Sequence, residues 1–328
     1  MASEFDLIAR YFTHPTTHTQ LGVGDDGALL RVAPGMELVV STDMLVAGTH
    51  FLPNAEPEAL GWKTLAVNVS DLAAMGAEPR WAVLAVALPG ADEPWIASFC
   101  AGLFACAEAF GVDVIGGDTT RGPLNLCPTV FGEVPTGQAL LRSGARPGDQ
   151  IWVSGTPGLA ALGLAHMQGR YQLSKPALTD CLSALHRPQP RANLGVALRG
   201  VASAAIDVSD GLLGDLAHIL ERSAVGAVLH LERMPDAAAR ACSDQTLARQ
   251  CLLSGGDDYE LLFSAAPARR DAILAMATSL GLPLTPIGEI VAQGEDLGPG
   301  DKSLRLLAAG QELPLAAYRG FDHFAATP

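Results

Sequence analysis

AVNVSDLAAMGAEPRWAVLAVAL, residues 66–88, decides how this chain is built. Its first part completes a helix predicted over 57–75, with apolar positions at Leu60, Leu65, Val67 and Leu72 and a stop at Gly76. Trp81–Leu88 then reads as a short buried strand. The alternation continues outward. A helix over 94–110 closes at Gly111, and a strand over 112–115 delivers Gly116, Gly117 and Asp118 at its C-terminal end. Upstream, LVVST (38–42) is a strand ending at Asp43. A first helix is expected over 3–12, with Ser3 as N-cap and Asp6 three residues on. Another strand covers 124–134.

The stretch 135–149 is rich in turn residues and marks a domain boundary, giving domains over 1–137 and 138–328. Beyond it, strands are expected over 151–154, 204–207, 225–231 and 260–265. Helices are expected over 159–168, 177–185, 192–199, 211–222 and 267–280. Mixed strands and helices in both halves give the class α/β (α+β). GDDGALL (24–30) is echoed by SDGLLGDL (209–216), and IGGD by SGGD, which hints at two related domains.

The chain has 328 residues, 21 Lys+Arg and 35 Asp+Glu, for a formal charge of −14. That acidity argues against nucleic acid or an anionic membrane as partner. A hydrophobic share of 49% supports a large core. The longest clean apolar run, Trp81–Leu88, is far below the roughly 20 residues of a membrane helix. The N-terminus has no apolar signal region, so a cytoplasmic protein is expected. Cys100, Cys106, Cys127, Cys181, Cys242 and Cys251 form no CxxC and read as buried thiols. The histidines form no HExxH, against a zinc site.

The chemistry lies in short glycine-flanked acidic clusters: Asp25 and Asp26 in GVGDDG, Asp43, Asp71, Asp118, and Asp207 and Asp210 in IDVSDG. No lysine or arginine stands inside them. Two carboxylates 4 Å apart repel by about 4 kcal/mol at an effective dielectric near 20. If the fold gathers these groups, hard divalent cations are the natural neutraliser, since carboxylates suit Mg²⁺. GVGDDG formally matches GxGxxG, but no strong strand precedes it and ALLRV after it looks extended, so a dinucleotide site is rejected. It is either a tight turn or a metal-binding one. Asp71 sits near a helix C-terminus, where the dipole disfavours it. Ser209 and Asp210 serve equally as helix caps. His50 is isolated and, by itself, reads as structural. There is no GxxxxGK[ST], no kinase HRD or DFG, and no DxDxT, so ligation suits the aspartates better than nucleophilic attack.

FDLIARYF, GVGDDGALL, STDMLVAGTHF, AVNVSDLAAMGAEP, IGGDTTRG, LLRSGARPGD, IDVSDGL, SGGDDYEL and GFDHF, in this order along the chain, resemble the thiamine-monophosphate kinase family. That family belongs to the aminoimidazole-ribonucleotide synthetase-like superfamily. The resemblance implies ATP-dependent phosphorylation of thiamine monophosphate to thiamine diphosphate, with several Mg²⁺ ions and ATP as co-substrate. It implies a two-domain fold and a homodimer whose N-terminal domains meet, with the C-terminal domain completing the active site. Carried across, the metal ligands are Asp26, Ser41, Thr42, Asp43, Asp71, Asp118, Asp207 and Asp210. Gly117, Asp118, Arg142 and Ser209 contact ATP; His50, Asp257 and Phe321 contact the thiamine phosphate. Asp257 stands where relatives often carry Glu, and Phe321 where Tyr or Trp is usual. Phe321 keeps the aromatic face that stacks on a cationic ring.

No general base is needed. The attacking phosphate, with a second pKa near 6, is mostly dianionic at pH 7. Direct in-line transfer is therefore expected, without a phosphoenzyme. The alternatives are another member of the superfamily, a Mg²⁺-dependent phosphohydrolase, and a nucleotide sensor without turnover. A selenophosphate synthetase would need a reactive cysteine near the N-terminus, and the first here is Cys100.

Overall fold

The computed structural model describes residues 4–294, 303–318 and 320. Ser3, expected as a cap, lies outside them. The chain divides after Ala139 into two compact units. No helix among the described residues is long and apolar enough to cross a membrane.

The first unit opens with α1 (Glu4–Leu7), which runs into a π-helical turn, Ile8–Phe12. Its sheet holds β1 (Met36–Thr42), β3 (Glu78–Leu88), β4 (Asp113–Arg121) and β5 (Asn125–Pro135), in the order β1-β5-β3-β4. The short β2 (Leu45–Val46), not expected from the sequence, pairs with β5. Because β5 is antiparallel to both β1 and β3, and β3 is parallel to β4, strands β1, β3 and β4 all point the same way. Their C-terminal ends therefore share one edge of the unit.

Two helices, α2 (Pro57–Ala74) and α3 (Glu93–Phe110), pack together over this sheet. Pro57 opens α2, and the Glu56 side chain accepts the N–H groups of Glu58 and Ala59. Leu65, Val69 and Leu72 are fully buried, each contributing about 1.5–3 kcal/mol of burial. The helices touch backbone to backbone at two glycines. A Cβ on Gly61 would run into Phe99 O, and one on Gly102 into Glu58 O. The opposite face of the sheet is open, with Leu38 and Val40 of β1 41% and 52% exposed. Asp113, at the start of β4, holds the N-terminal segment by accepting Thr17 N–H (2.8 Å), His18 N–H (2.5 Å) and Thr19 Oγ1 (2.7 Å).

The second unit is built on a seven-stranded sheet. In order it comprises β12 (Gln311–Leu313), β11 (Leu304–Ala308), β8 (Gly226–His230), β10 (Leu284–Val291), β6 (Gln150–Ser154), β9 (Glu260–Ala265) and β7 (Ala204–Val208). Ile151 and Val153 of β6, with Ile206 and Val208 of β7, join one core. That core includes α4 (Leu159–Met167), α5 (Lys175–His186), α7 (Leu212–Ser223), α8 (Ala237–Ala241) and α9 (Gln245–Ser254). Trp152, pointing the other way by strand alternation, stacks on Phe263 at 6.3 Å. The helices α6 (Ala192–Leu198) and α10 (Arg270–Leu280) complete the unit. Helices α8 and α9 and strands β10 to β12 were not expected from the sequence. All six cysteines are free thiols, and Cys127 is half-buried where a buried one was expected.

The glycine contact is testable. Gly61→Ala and Gly102→Ala are each expected to cost about 2–3 kcal/mol by forcing α2 and α3 apart. Gly90→Ala, with nothing within 4 Å of its Cβ position, should stay within about 0.5 kcal/mol. Denaturant unfolding of the three variants decides it.

Candidate active site

In the first unit, α2 clamps the end of β1. Asn68 and Asp71 are three residues apart and so share one helix face. Asn68 Oδ1 accepts Asp43 N–H at 2.9 Å, and Asp71 Oδ2 accepts Ser41 Oγ at 2.5 Å. Asn68 is itself held by Thr64 O at 3.2 Å. These bonds explain an aspartate near a helix C-terminus: it is bound to the strand carrying Ser41 and Asp43. Thr42, one residue along, turns to the other face. Its hydroxyl donates to Pro128 O (2.8 Å) and accepts from Thr129 Oγ1 (3.1 Å).

Asp118 is not in a loop beyond its strand, as the sequence reading has it. Strand β4 continues to Arg121, and Asp118 pairs with Ala85 inside it. The continuation depends on Gly117, whose φ is +151° and whose Cβ would strike Leu84 O. Paired residues share a face, so Asp118 lies with exposed Ala85 on the open side. Ser41 and Asp71 are on the helix side. The backbones of β1 and β4 are three strand spacings apart, about 14 Å.

His50 closes a turn after β2. Its Nδ1 accepts Val46 N–H at 3.0 Å, and its own N–H donates to Val46 O at 3.0 Å. With Nδ1 an acceptor, the proton of the neutral ring sits on Nε2. In GVGDDG, Asp25 Oδ1 accepts Asp26 N–H at 3.0 Å. Asp25 shapes the turn, and the exposed Asp26 is presented by it.

In the second unit, two motifs far apart in sequence form one structure at the C-terminal end of β7. Ser209 O accepts Asp257 N–H and Val208 O accepts Tyr259 N–H, both at 2.8 Å. Close approach requires glycine at 256, where a Cβ would meet Ser209 O, and at 211 (φ +122°), where it would meet Ser254. Asp207, in β7, is 4% exposed and paired with Leu261. Asp215 Oδ2 accepts the N–H groups of Ser209, Asp210 and Gly211, each at 3.1 Å. Burial, and then the charge of Asp210, push the Asp215 carboxyl up to about 7 against these donors.

The acids of SGGDDYE divide their work. Asp258 accepts Gly158 N–H through both oxygens, at 2.9 and 2.8 Å, at the start of α4. Burial of its carboxylate raises its pKa well above the ordinary range, although the residue as a whole is partly exposed. Glu260 takes Arg191 in a two-point ion pair (2.6 and 2.5 Å) and Ser154 Oγ at 2.5 Å. Asp257, at φ +69°, instead accepts the Tyr259 hydroxyl at 3.1 Å. Aspartate tolerates this left-handed conformation better than most residues.

Arg142 is exposed at the other end of β7. Its carbonyl accepts Ser223 Oγ at 3.0 Å, and neighbouring Leu141 O accepts Ala205 N–H at 3.0 Å. The backbones at Arg142 and Ser209 are roughly 13 Å apart along the strand. Phe321 lies outside the described residues. Sequence reasoning gave Arg191, Tyr259 and Asp215 no role, and noted Asn68 only as the residue three before Asp71. That spacing was a signal for Asn68, and Asp215 carried one as an acid in the first turns of a helix after IDVSDG.

Among the described residues, no three His, Cys, Asp or Glu side chains are grouped to hold a metal ion. The donors stand in ones and twos and are all oxygen. Such a set fits Mg²⁺, which takes one or two carboxylates together with waters and substrate phosphates.

Fold and site define a two-domain protein of the AIR synthase related class: that family's N-terminal domain matches residues 24–134 and its C-terminal domain residues 146–297. The chain belongs, more narrowly, to the thiamine-monophosphate kinase family. It is 46% identical to thiamine-monophosphate kinase of Salmonella typhimurium, over 98% of both chains. To that of Haemophilus influenzae it is 42% identical, also over 98% of both. The crystal structure of thiamine-monophosphate kinase from Stenotrophomonas maltophilia matches with a TM-score of 0.81 at 45% identity, covering 94% of this chain and 95% of that one. AaThiL complexed with AMPPCP and TMP matches with a TM-score of 0.75 at 27% identity, covering 98% and 97%.

Arg191→Met would leave Glu260 charged and buried beside Ser154, at a cost of about 3–5 kcal/mol. The double variant Arg191→Met/Glu260→Met should recover much of that loss. Thermal and urea unfolding of the pair provides the check.

Proposed function

We propose that this chain transfers the γ-phosphoryl group of ATP to thiamine monophosphate, giving ADP and thiamine diphosphate. The observation that carries the reading is 46% identity over 98% of both chains to an enzyme named for this reaction. The relative complexed with AMPPCP and TMP supports it. AMPPCP stands in for ATP, with a methylene replacing the oxygen that breaks away.

Within the first unit, Asp26, Ser41, Thr42, Asp43, Asp71 and Asp118 would hold Mg²⁺, and Gly117 and Asp118 would contact ATP. Within the second, Asp207 and Asp210 are the ligands, and Arg142 and Ser209 contact ATP. His50, Asp257 and Phe321 take thiamine monophosphate. Bound Mg²⁺ supplies charge neutralisation between two anionic reactants. The protein's own contribution is orientation. The Asn68 and Asp71 clamp fixes the end of β1, and Val46 fixes the His50 ring so that Nε2–H can donate to phosphate. No side chain need remove a proton, because the acceptor phosphate is already mostly dianionic. Transfer is direct and in line.

The open face of the first sheet supports a homodimer. Leu38 and Val40 are exposed there, and Phe131 is directly opposite Val40. A contiguous apolar sheet face is an interface signature. The formal charge of −14 argues against nucleic-acid or anionic-membrane partners, and dependence on ATP supports a cytoplasmic enzyme.

ADP should form only when thiamine monophosphate, ATP and Mg²⁺ are all present. ADP formation without the acceptor would favour a phosphohydrolase, and a phosphorylated enzyme on the pathway would exclude direct transfer. Asp43→Asn should lower kcat by at least roughly 100-fold, beyond the usual effect of removing a supporting group, while ATP still shifts the melting temperature. Near-native turnover would remove Asp43 from the ligand set. Val40→Glu should halve the mass seen by light scattering.

A further inference from the structure

A strand that turns directly into a helix usually leaves successive backbone N–H groups pointing outward. Such a concavity binds phosphate. The turn between β7 and α7 has this form, but its amides are already taken. Ser209, Asp210 and Gly211 donate to one atom, Asp215 Oδ2, each at 3.1 Å. Asp215 lies in the first turns of α7 and is 3% exposed.

We propose that Asp215 is a positioning residue: its carboxylate fills the backbone anion seat at the end of β7, so the turn offers a ligand its side chains and not its amides. The inference rests on the reading that Ser209 and Asp210 meet Mg²⁺ and ATP. An incoming phosphate finds the seat occupied and meets the Asp210 carboxylate. A phosphate can approach this turn only through a cation, which is what a metal ligand at 210 provides.

An ordinary helix cap does not account for the pattern. A cap satisfies amides of the first helical turn, whereas Ser209 and Asp210 precede the helix, which begins at Leu212. The far side of the turn is fixed by Asp257 N–H on Ser209 O. Asp215 therefore holds one side of a turn whose other side is held by the SGGDDYE loop. Losing three bonds to a carboxylate should release Ser209 and Asp210 together.

The test uses the full-length protein and the variants Asp215→Asn, Asp215→Glu and Asp215→Ala. Asparagine keeps an oxygen at the same reach, while glutamate keeps the charge one methylene too far. Asp215→Ala should raise KM for MgATP at least about tenfold, the scale of a lost hydrogen bond to a charged group. Asp215→Asn should stay within about threefold of wild type, and Asp215→Glu should be worse than Asp215→Asn. Hydrogen exchange should accelerate in the peptide 204–216 in the alanine and glutamate variants, and less with asparagine. Folded Asp215→Ala with an unchanged KM overturns the proposal. So does unchanged exchange in that peptide, or Asp215→Glu matching wild type while Asp215→Asn fails. If Asp215→Ala does not fold, the order of the other two variants decides. If wild type forms no ADP with thiamine monophosphate, the functional reading fails by itself, and hydrogen exchange still decides whether Asp215 holds the turn.

Discussion

The structure depends on how an acidic chain holds carboxylates without drawing mainly on its own cations. Removing a charge from water is costly unless donors replace the water. Here amides and hydroxyls do so. Asp113 takes two backbone N–H groups and a threonine. Asp71 takes a serine, Asp258 a glycine amide, and Asp215 three amides. Two buried acids in the sheets, Glu260 and Glu133, do take guanidinium groups, while pairs such as Arg10–Glu93 and Arg240–Asp236 are more exposed. Neutral donors add no positive charge of their own, so they do not cancel the attraction of the remaining carboxylates for a cation, although burial raises the carboxyls of Asp215 and Asp258.

Strand direction does the rest within the first unit. Because β1, β3 and β4 point the same way, residues at the end of β1 and within β4 reach one edge although more than seventy residues separate them. The sheet also divides them between its faces. Ser41 and Asp71 lie under α2, while Thr42 and Asp118 are on the open side. Oxygen donors spread in this way suit an extended chain of phosphates better than a compact protein cage.

Much of this was legible in the sequence. The helix at 57–74 and the strand after it follow from a buried apolar run punctuated by Pro57 and Gly76. IDVSDG was readable as a strand-to-helix junction. What was not legible has physical causes. The sequence of Asp118 reads as a loop because two glycines precede it, yet those glycines let an edge strand continue past Leu84. LTPIGEIV, which forms β10 in the middle of a sheet, contains a proline and a glycine, and these hide a strand from pattern reading. In DDYE the three acids look alike. Only the fold shows that Asp258 caps α4, that Glu260 pairs with Arg191, and that Asp257 adopts a left-handed backbone under Tyr259.

The anion tethered at the β7 turn has a further consequence. A carboxylate attached five residues away competes for its amides as an intramolecular ligand, at an effective concentration no dissolved anion matches. Inorganic phosphate, pyrophosphate and metal-free nucleotide gain nothing from those amides, however abundant they become. On the proposed role of Asp215, the turn is insulated from the background of cellular anions, and a metal-loaded nucleotide is the form it would distinguish.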